Sequence, residues 1–151
     1  MELSDWLIFP GYRAYTIPMR RLFLFSFVIM ACEPLNQESP MEEENIYHGK
    51  LTVASGYYEA LLFTPQSGDS ILGGARVTSG SNFTFFWATD NEFQEWMSSG
   101  DTQGLNDYAE NVSEVNVAGS IPSAGNYYVV FYAPGGQTNL DVRFKTRRWK
   151  E

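Results

Sequence analysis

The sequence predicts an all-β domain: a two-sheet antiparallel β-sandwich, jelly-roll in type, of about seven or eight strands with one short helix near residues 90–98. Three observations carry that reading. Short runs place apolar residues at every second position. Clusters of Gly, Pro, Ser and Asn separate the runs. The period changes once, to the helical one, directly after a capping sequence at Thr89. Neither the βα alternation of a parallel sheet nor an internal repeat is visible.

Residues 50–54 read as the first strand and 57–63 as the second, which Pro65 and the turn Ser67-Gly68-Asp69 close. Residues 70–78 form a third, in which the pair Gly73-Gly74 predicts a bulge or a close backbone approach. Ser79-Gly80-Ser81 turns into 82–88, where Phe83, Phe85 and Trp87 share one face and Phe86 lies on the other. Thr89 followed by Glu92 is a capping box. Phe93, Trp96 and Met97 then stand at i, i+3, i+4, and Gly100 stops the helix. This spacing predicts a helix that lays Phe93 and Trp96 over an open end of the sheets. Residues 101–112 read as a polar loop. Val115, Val117 and Ile121 mark another strand. Residues 126–133 are apolar on both faces and predict a central strand. After Pro134-Gly135-Gly136, Leu140, Val142 and Phe144 alternate with Asp141, Arg143 and Lys145 in the last strand.

Upstream lies a different kind of sequence. Arg20 and Arg21 precede an apolar core at 22–30, and small Ala31 precedes Cys32, the one cysteine of the chain. Positive charge, a short apolar core and a small residue at the cut are the parts of a secretory signal. The core is too short for a membrane span, which takes about 20 residues. Ile29-Met30-Ala31-Cys32 resembles the lipobox of bacterial lipoproteins, a family in which the cysteine thiol receives a diacylglycerol and the chain is cut just before it. The resemblance implies lipidation at Cys32, acyl (palmitate-type) chains in the membrane, and an extracytoplasmic, lipid-anchored protein of the cell envelope. A single exported cysteine has no partner within the chain, and acylation removes the exposed thiol. Residues 1–18 contain Glu2, Asp5, Pro10, Gly11 and Pro18 and fit no signal, so Met19 is the expected start and 1–18 an over-extended reading.

The domain organisation expected is therefore a signal peptide over 1–31, a lipidated Cys32 with a flexible acidic tether over 32–44, and the β-sandwich over 45–151. Five acids (Glu33, Glu38, Glu42, Glu43, Glu44), two prolines and no base or aromatic ring make 33–44 a solvated spacer. Acidic residues close behind the cysteine also resemble the surface-export signals of Bacteroidetes lipoproteins, which implies the outer rather than the inner membrane. The whole chain carries 18 acids and 10 bases; without Glu2, Asp5, Arg13, Arg20 and Arg21 it carries 16 and 7, a net charge of about −9. That balance argues against nucleic acid, whose phosphates need clustered cations. The only basic cluster, Arg143 to Lys150, reads as a solvated strand edge.

Three stretches carry a second resemblance: Phe83-Thr-Phe-Phe-Trp-Ala-Thr-Asp90, Asn91-Glu-Phe-Gln-Glu-Trp96, and Ala124-Gly-Asn-Tyr-Tyr-Val-Val-Phe-Tyr132. Their order resembles GOLD (Golgi dynamics) domains and bacterial pre-peptidase C-terminal domains. The resemblance implies a sandwich that binds proteins, lipids or sugars, or accompanies another domain, without catalysis. The paired cysteines, coiled coil and membrane span of GOLD cargo receptors do not occur in this sequence, so cargo-receptor function does not carry over.

Catalytic chemistry has little to stand on. His48, the one histidine, reads as a surface strand residue, and no nucleophile elbow, phosphate loop or zinc spacing occurs. Asp90, Glu92 and Glu95 suit a helix start. Asp101, Asp107 and Glu110 share the polar loop and offer oxygens to Ca²⁺, the one cofactor the loop suggests. Tyr108, inside that loop, is the best candidate for an exposed ring, and exposed rings stack on sugars or anchor interfaces. The expected ligand site is thus Trp96, Tyr108, Asp101, Asp107 and Glu110 at one end of the sandwich, and its ligand an envelope protein or a glycan. A structural subunit of an envelope assembly, using strand edges, and a small hydrolase are the alternatives.

Overall fold

A computed structural model describes residues 41–150. The signal region, Cys32 and the tether up to residue 40 lie outside the described residues. Eight strands and one helix follow in the order β1 (Met41–Val53), β2 (Tyr58–Phe63), β3 (Ser70–Gly80), β4 (Phe83–Thr89), α1 (Asp90–Ser99), β5 (Asn106–Val112), β6 (Glu114–Ser120), β7 (Tyr127–Tyr132) and β8 (Thr138–Trp149). They make two four-stranded sheets: sheet A in the order β1-β8-β3-β6 and sheet B in the order β2-β7-β4-β5. Every neighbouring pair is antiparallel. The fold class is the one the alternation predicts.

The core lies between the sheets. Phe83, Phe85 and Trp87 of β4 and Tyr127, Val129 and Phe131 of β7 face Leu140, Val142 and Phe144 of β8 and Ile71 and Ala75 of β3. The Phe85 and Phe144 rings stack across the gap with centroids 5.7 Å apart. Each fully buried ring of this kind stabilises the fold by about 2–3 kcal/mol.

Four expectations change. First, β1 begins at Met41, so 41–44 belong to the sandwich and not to the tether. Glu43 stands opposite Arg147 and takes hydrogen bonds from Lys145 Nζ (2.7 Å) and Arg147 Nη2 (2.9 Å). The basic cluster thus turns an acidic run into a paired strand. Second, that cluster is not at a sheet edge, because β8 lies between β1 and β3. Third, residues 106–112 of the polar stretch form β5. Asp107 (φ 51°) and Asn111 (φ 52°) are left-handed and the register with β4 slips twice, so no alternation marks the strand. Fourth, α1 does not cap an end of the sandwich; it lies on the outer face of sheet B, where Phe93 packs with Phe86, Ala88 and Val130.

The glycine pair resolves as a close backbone approach. A Cβ at Gly73 would stand 2.1 Å from the Arg143 carbonyl oxygen, and Gly73 holds φ +153°. The bulge in β3 is elsewhere, between Val77 and Ser79.

Candidate functional site: an aromatic groove on the outer face of sheet B

The site starts with the ends of α1. Thr89 Oγ1 accepts from the Glu92 amide at 3.4 Å, and Glu92 Oε2 accepts from the Thr89 amide at 2.8 Å. This capping box satisfies two of the donors that a helix start leaves unpaired. At the other end Gly100 takes φ 72°, and its amide donates to the Trp96 carbonyl at 2.8 Å. Both ends are therefore fixed, and the helix presents Phe93, Trp96 and Met97 to the sheet in the order their spacing predicts.

Strand alternation supplies the other wall. Because Tyr127, Val129 and Phe131 face the core, Tyr128, Val130 and Tyr132 face outward, and Tyr58 of β2 pairs with Tyr132. The rings interlock. Phe93 stacks on Tyr128 at 4.6 Å, and Trp96 sets an edge against Phe86 at 4.8 Å. Trp96 also meets Tyr132 at 5.8 Å and Tyr58 at 5.6 Å, both edge to face. Edge-to-face contacts set the positive ring edge against the negative face of its neighbour.

The helix does not reach across the whole face. Between it and β2 runs an open groove of about 480 Å³ lined by Tyr58, Trp96, Met97, Gly100 and Tyr132. Tyr58 (41% exposed) and Met97 (39%) form its lips, and the Tyr58 hydroxyl donates to Met97 Sδ at 3.0 Å. Leu62, outward on the same strand, is 54% exposed. A Cβ at Gly100 would meet nothing within 4 Å, so the groove opens to solvent there. The lining carries no carboxylate and no imidazole, and so supplies no general acid–base pair. It can do one thing well: exchange water for apolar and aromatic surface.

Sheet B and its helix are also electrically one-sided. No Lys or Arg occurs between Arg76 and Arg143, so β4, α1, β5, β6 and β7 hold no base, and β2 holds none either. Glu59, Asp90, Glu92, Glu95, Asp107 and Glu110 all lie on β2, α1 or β5.

The residues singled out in the sequence separate here. Trp96 lines the groove. Tyr108 is half-buried rather than exposed and lies on the far side of Phe86, at 6.3 Å. Its hydroxyl donates to Glu110, and burial, with that carboxylate beside it, pushes its pKa up to about 12. Asp107 Oδ2 accepts from Trp87 Nε1 at 2.6 Å, and Asp101 Oδ1 from the Gln103 amide at 2.9 Å. The three carboxylates of the calcium expectation thus go to three separate partners. Among the described residues no group of three or more His, Cys, Asp or Glu side chains gathers to hold a metal ion. His48 lies on the outer face of sheet A, next to Arg143 of β8.

Two parts of this arrangement are not marked in the sequence. Tyr58 and Tyr132 come together only through the pairing register of β2 with β7. Asp69, 2% exposed, takes two 2.8 Å hydrogen bonds from Arg148 and one of 2.9 Å from the Gln66 amide. The Arg148 guanidinium, helped by that amide, holds the Asp69 carboxyl below its ordinary value. This pair pins the turn before β3 to the end of β8.

No family model matches the sequence, and no curated protein matches it. Among solved structures the chain is similar to the pre-peptidase C-terminal domain of a collagenase from Bacillus anthracis, with 13% identity and a TM-score of 0.44 over 70% of this chain and 88% of that one. It is also similar to PliG of Aeromonas hydrophila, a periplasmic inhibitor of g-type lysozyme, with 10% identity and a TM-score of 0.43 over 73% of this chain and 89% of that one.

Proposed function

We propose that this chain is a lipid-anchored, extracytoplasmic binding module without catalytic activity, and that it takes a protein ligand in the aromatic groove. One observation carries the reading: Tyr58, Trp96, Met97 and Tyr132 leave an open apolar recess on a face that α1 otherwise covers. Desolvated aromatic recesses of this kind are where protein interfaces concentrate their binding energy. The crossing angles favour a protein over a glycan. Trp96 meets Tyr132 at 73° and Tyr58 at 80°, so the rings form a notch for a side chain and not a flat platform for a sugar face. Export and anchoring rest on Arg20-Arg21, the apolar core at 22–30 and the lipobox-like Cys32.

Two experiments test the two halves. A photoreactive residue at Met97 forms one adduct of discrete mass in intact cells, absent when the same residue stands at Lys50 on sheet A. Identical labelling from both positions removes the groove as the ligand site. Cys32→Ser moves the protein from the membrane to the soluble fraction or leaves its signal uncut; unchanged fractionation and mass remove the anchor.

A further inference from the structure

A second feature lies on the opposite side of the molecule and is independent of the groove. Val142 and Phe144 point into the core, so Arg143 between them points out of sheet A. Its cross-strand neighbours are His48 on β1 and Gly74 on β3. The glycine leaves the guanidinium uncovered on that side. Two hollows meet at Arg143. The first, of about 230 Å³, is lined by Asn45, Tyr47, His48, Arg143 and Lys145 together with apolar Leu72 and Phe144 and the bare Gly73, and no carboxylate lines it. The second, of about 400 Å³, has Glu114 and Asp141 on its wall. The two differ in what they can hold: the carboxylates of the second repel an anion, whereas the first sets two cations and the Asn45 and His48 donors beside apolar Leu72, with no carboxylate in its lining.

Charge on this face is not balanced. Lys145 and Arg147 share the single carboxylate of Glu43. Arg76 reaches Asp141 at 3.9 Å. Arg143 makes no ion pair among the described residues. An exposed guanidinium with its whole fork free, a second cation beside it and the N–H donors of Asn45 and His48 make a complementary surface for one tetrahedral oxyanion. The floor is fixed as well: Gly73 cannot accept a side chain, since a Cβ would strike the Arg143 backbone at 2.1 Å.

We infer that the hollow over Asn45, His48, Arg143 and Lys145 is a binding site for a phosphate group, either free in solution or carried on a lipid headgroup. Arg143 supplies the two-pronged contact, Lys145 the second charge, and His48 and Asn45 orient the remaining oxygens.

The test follows the Arg143 Nε–H and the His48 ring by NMR in the full chain. Inorganic phosphate is titrated against chloride at matched ionic strength, and phosphatidylglycerol vesicles against phosphatidylcholine vesicles. Saturable shifts at both groups are expected, and Arg143→Gln lowers the apparent affinity at least fivefold. His48→Ala gives a smaller loss at unchanged Tm. Saturation by inorganic phosphate alone identifies a soluble source; saturation by phosphatidylglycerol vesicles, lost in Arg143→Gln, identifies a lipid source. No saturable shift in either arm, or equal affinity in Arg143→Gln, overturns the site while leaving the groove reading untouched.

Discussion

The outer faces of the two sheets finish the same architecture in different ways. Sheet A meets water directly, and its outward side chains form ion pairs: Glu43 with Lys145 and Arg147, and Arg76 with Asp141. Sheet B turns Phe86, Ala88 and Val130 outward and buries them under α1. Exposed ion pairs contribute between nothing and about 1 kcal/mol each. A buried phenylalanine contributes several times more. The difference teaches that the helix side is a second, small hydrophobic core that sheet B cannot do without, while the ion pairs of the charged side add little stability to a core already complete. A surface that must be covered for stability, yet is covered incompletely, is also the surface where a partner gains most by completing the job.

The largest effect that sharpens this comparison is at Phe93. Phe93→Ala should destabilise by about 3–4 kcal/mol in urea unfolding and expose the Trp96 indole, seen as a red shift in emission. A loss under about 1 kcal/mol would mean that α1 is not held by its apolar face and would break the comparison.

Next comes the buried ion pair that belongs to neither face. Asp69 has a lowered folded value, so its contribution is present above the unfolded carboxyl range and is lost as pH falls through the folded value. Asp69→Asn should therefore lower Tm by several degrees at pH 7 and differ progressively less from wild type as the pH falls below about 4. Parallel Tm curves over that range would exclude Asp69 as a source of acid sensitivity.

The smallest effect is expected at the most conspicuous ion-pair cluster. Glu43→Gln should leave Tm within about 2 °C of wild type, because both cations and the carboxylate are open to solvent. A drop as large as that of Asp69→Asn would show that the charged face is structural after all.

Much of the fold is legible wherever a strand is buried on one face, because burial enforces the two-residue period. Phe83, Phe85 and Trp87 fall on one face of β4 and Phe86 on the other by alternation alone, though the second core under α1 shows only in the fold. The capping box and Gly100 define α1 to within a residue, since both signals are local. What stays hidden depends on distant partners. The acidic start of β1 looks like spacer because its cations stand 102 and 104 positions away. Asp69 looks like a turn residue because Arg148 is 79 positions away. β5 loses its period to two left-handed residues. At the site, Trp96 is legible from helical spacing. Tyr58 and Tyr132 are not, since any outward tyrosine reads alike until strand register decides its neighbours. Tyr108 misleads for the opposite reason: polar residues surround it in sequence, and Phe86 adjoins it in space.

The pairing of Met41 with Trp149 has a mechanical consequence. Any pull delivered through the residues before Met41 enters the fold at that end of the β1–β8 ladder. The first side-chain grips it meets are Glu42 on Lys150 and Glu43 on Lys145 and Arg147, and only deeper, from Ile46 to Val53, does the ladder rest on packing against the core. Fraying under load should therefore begin more easily in concentrated salt and then stop at Ile46, where screening ions have little left to weaken.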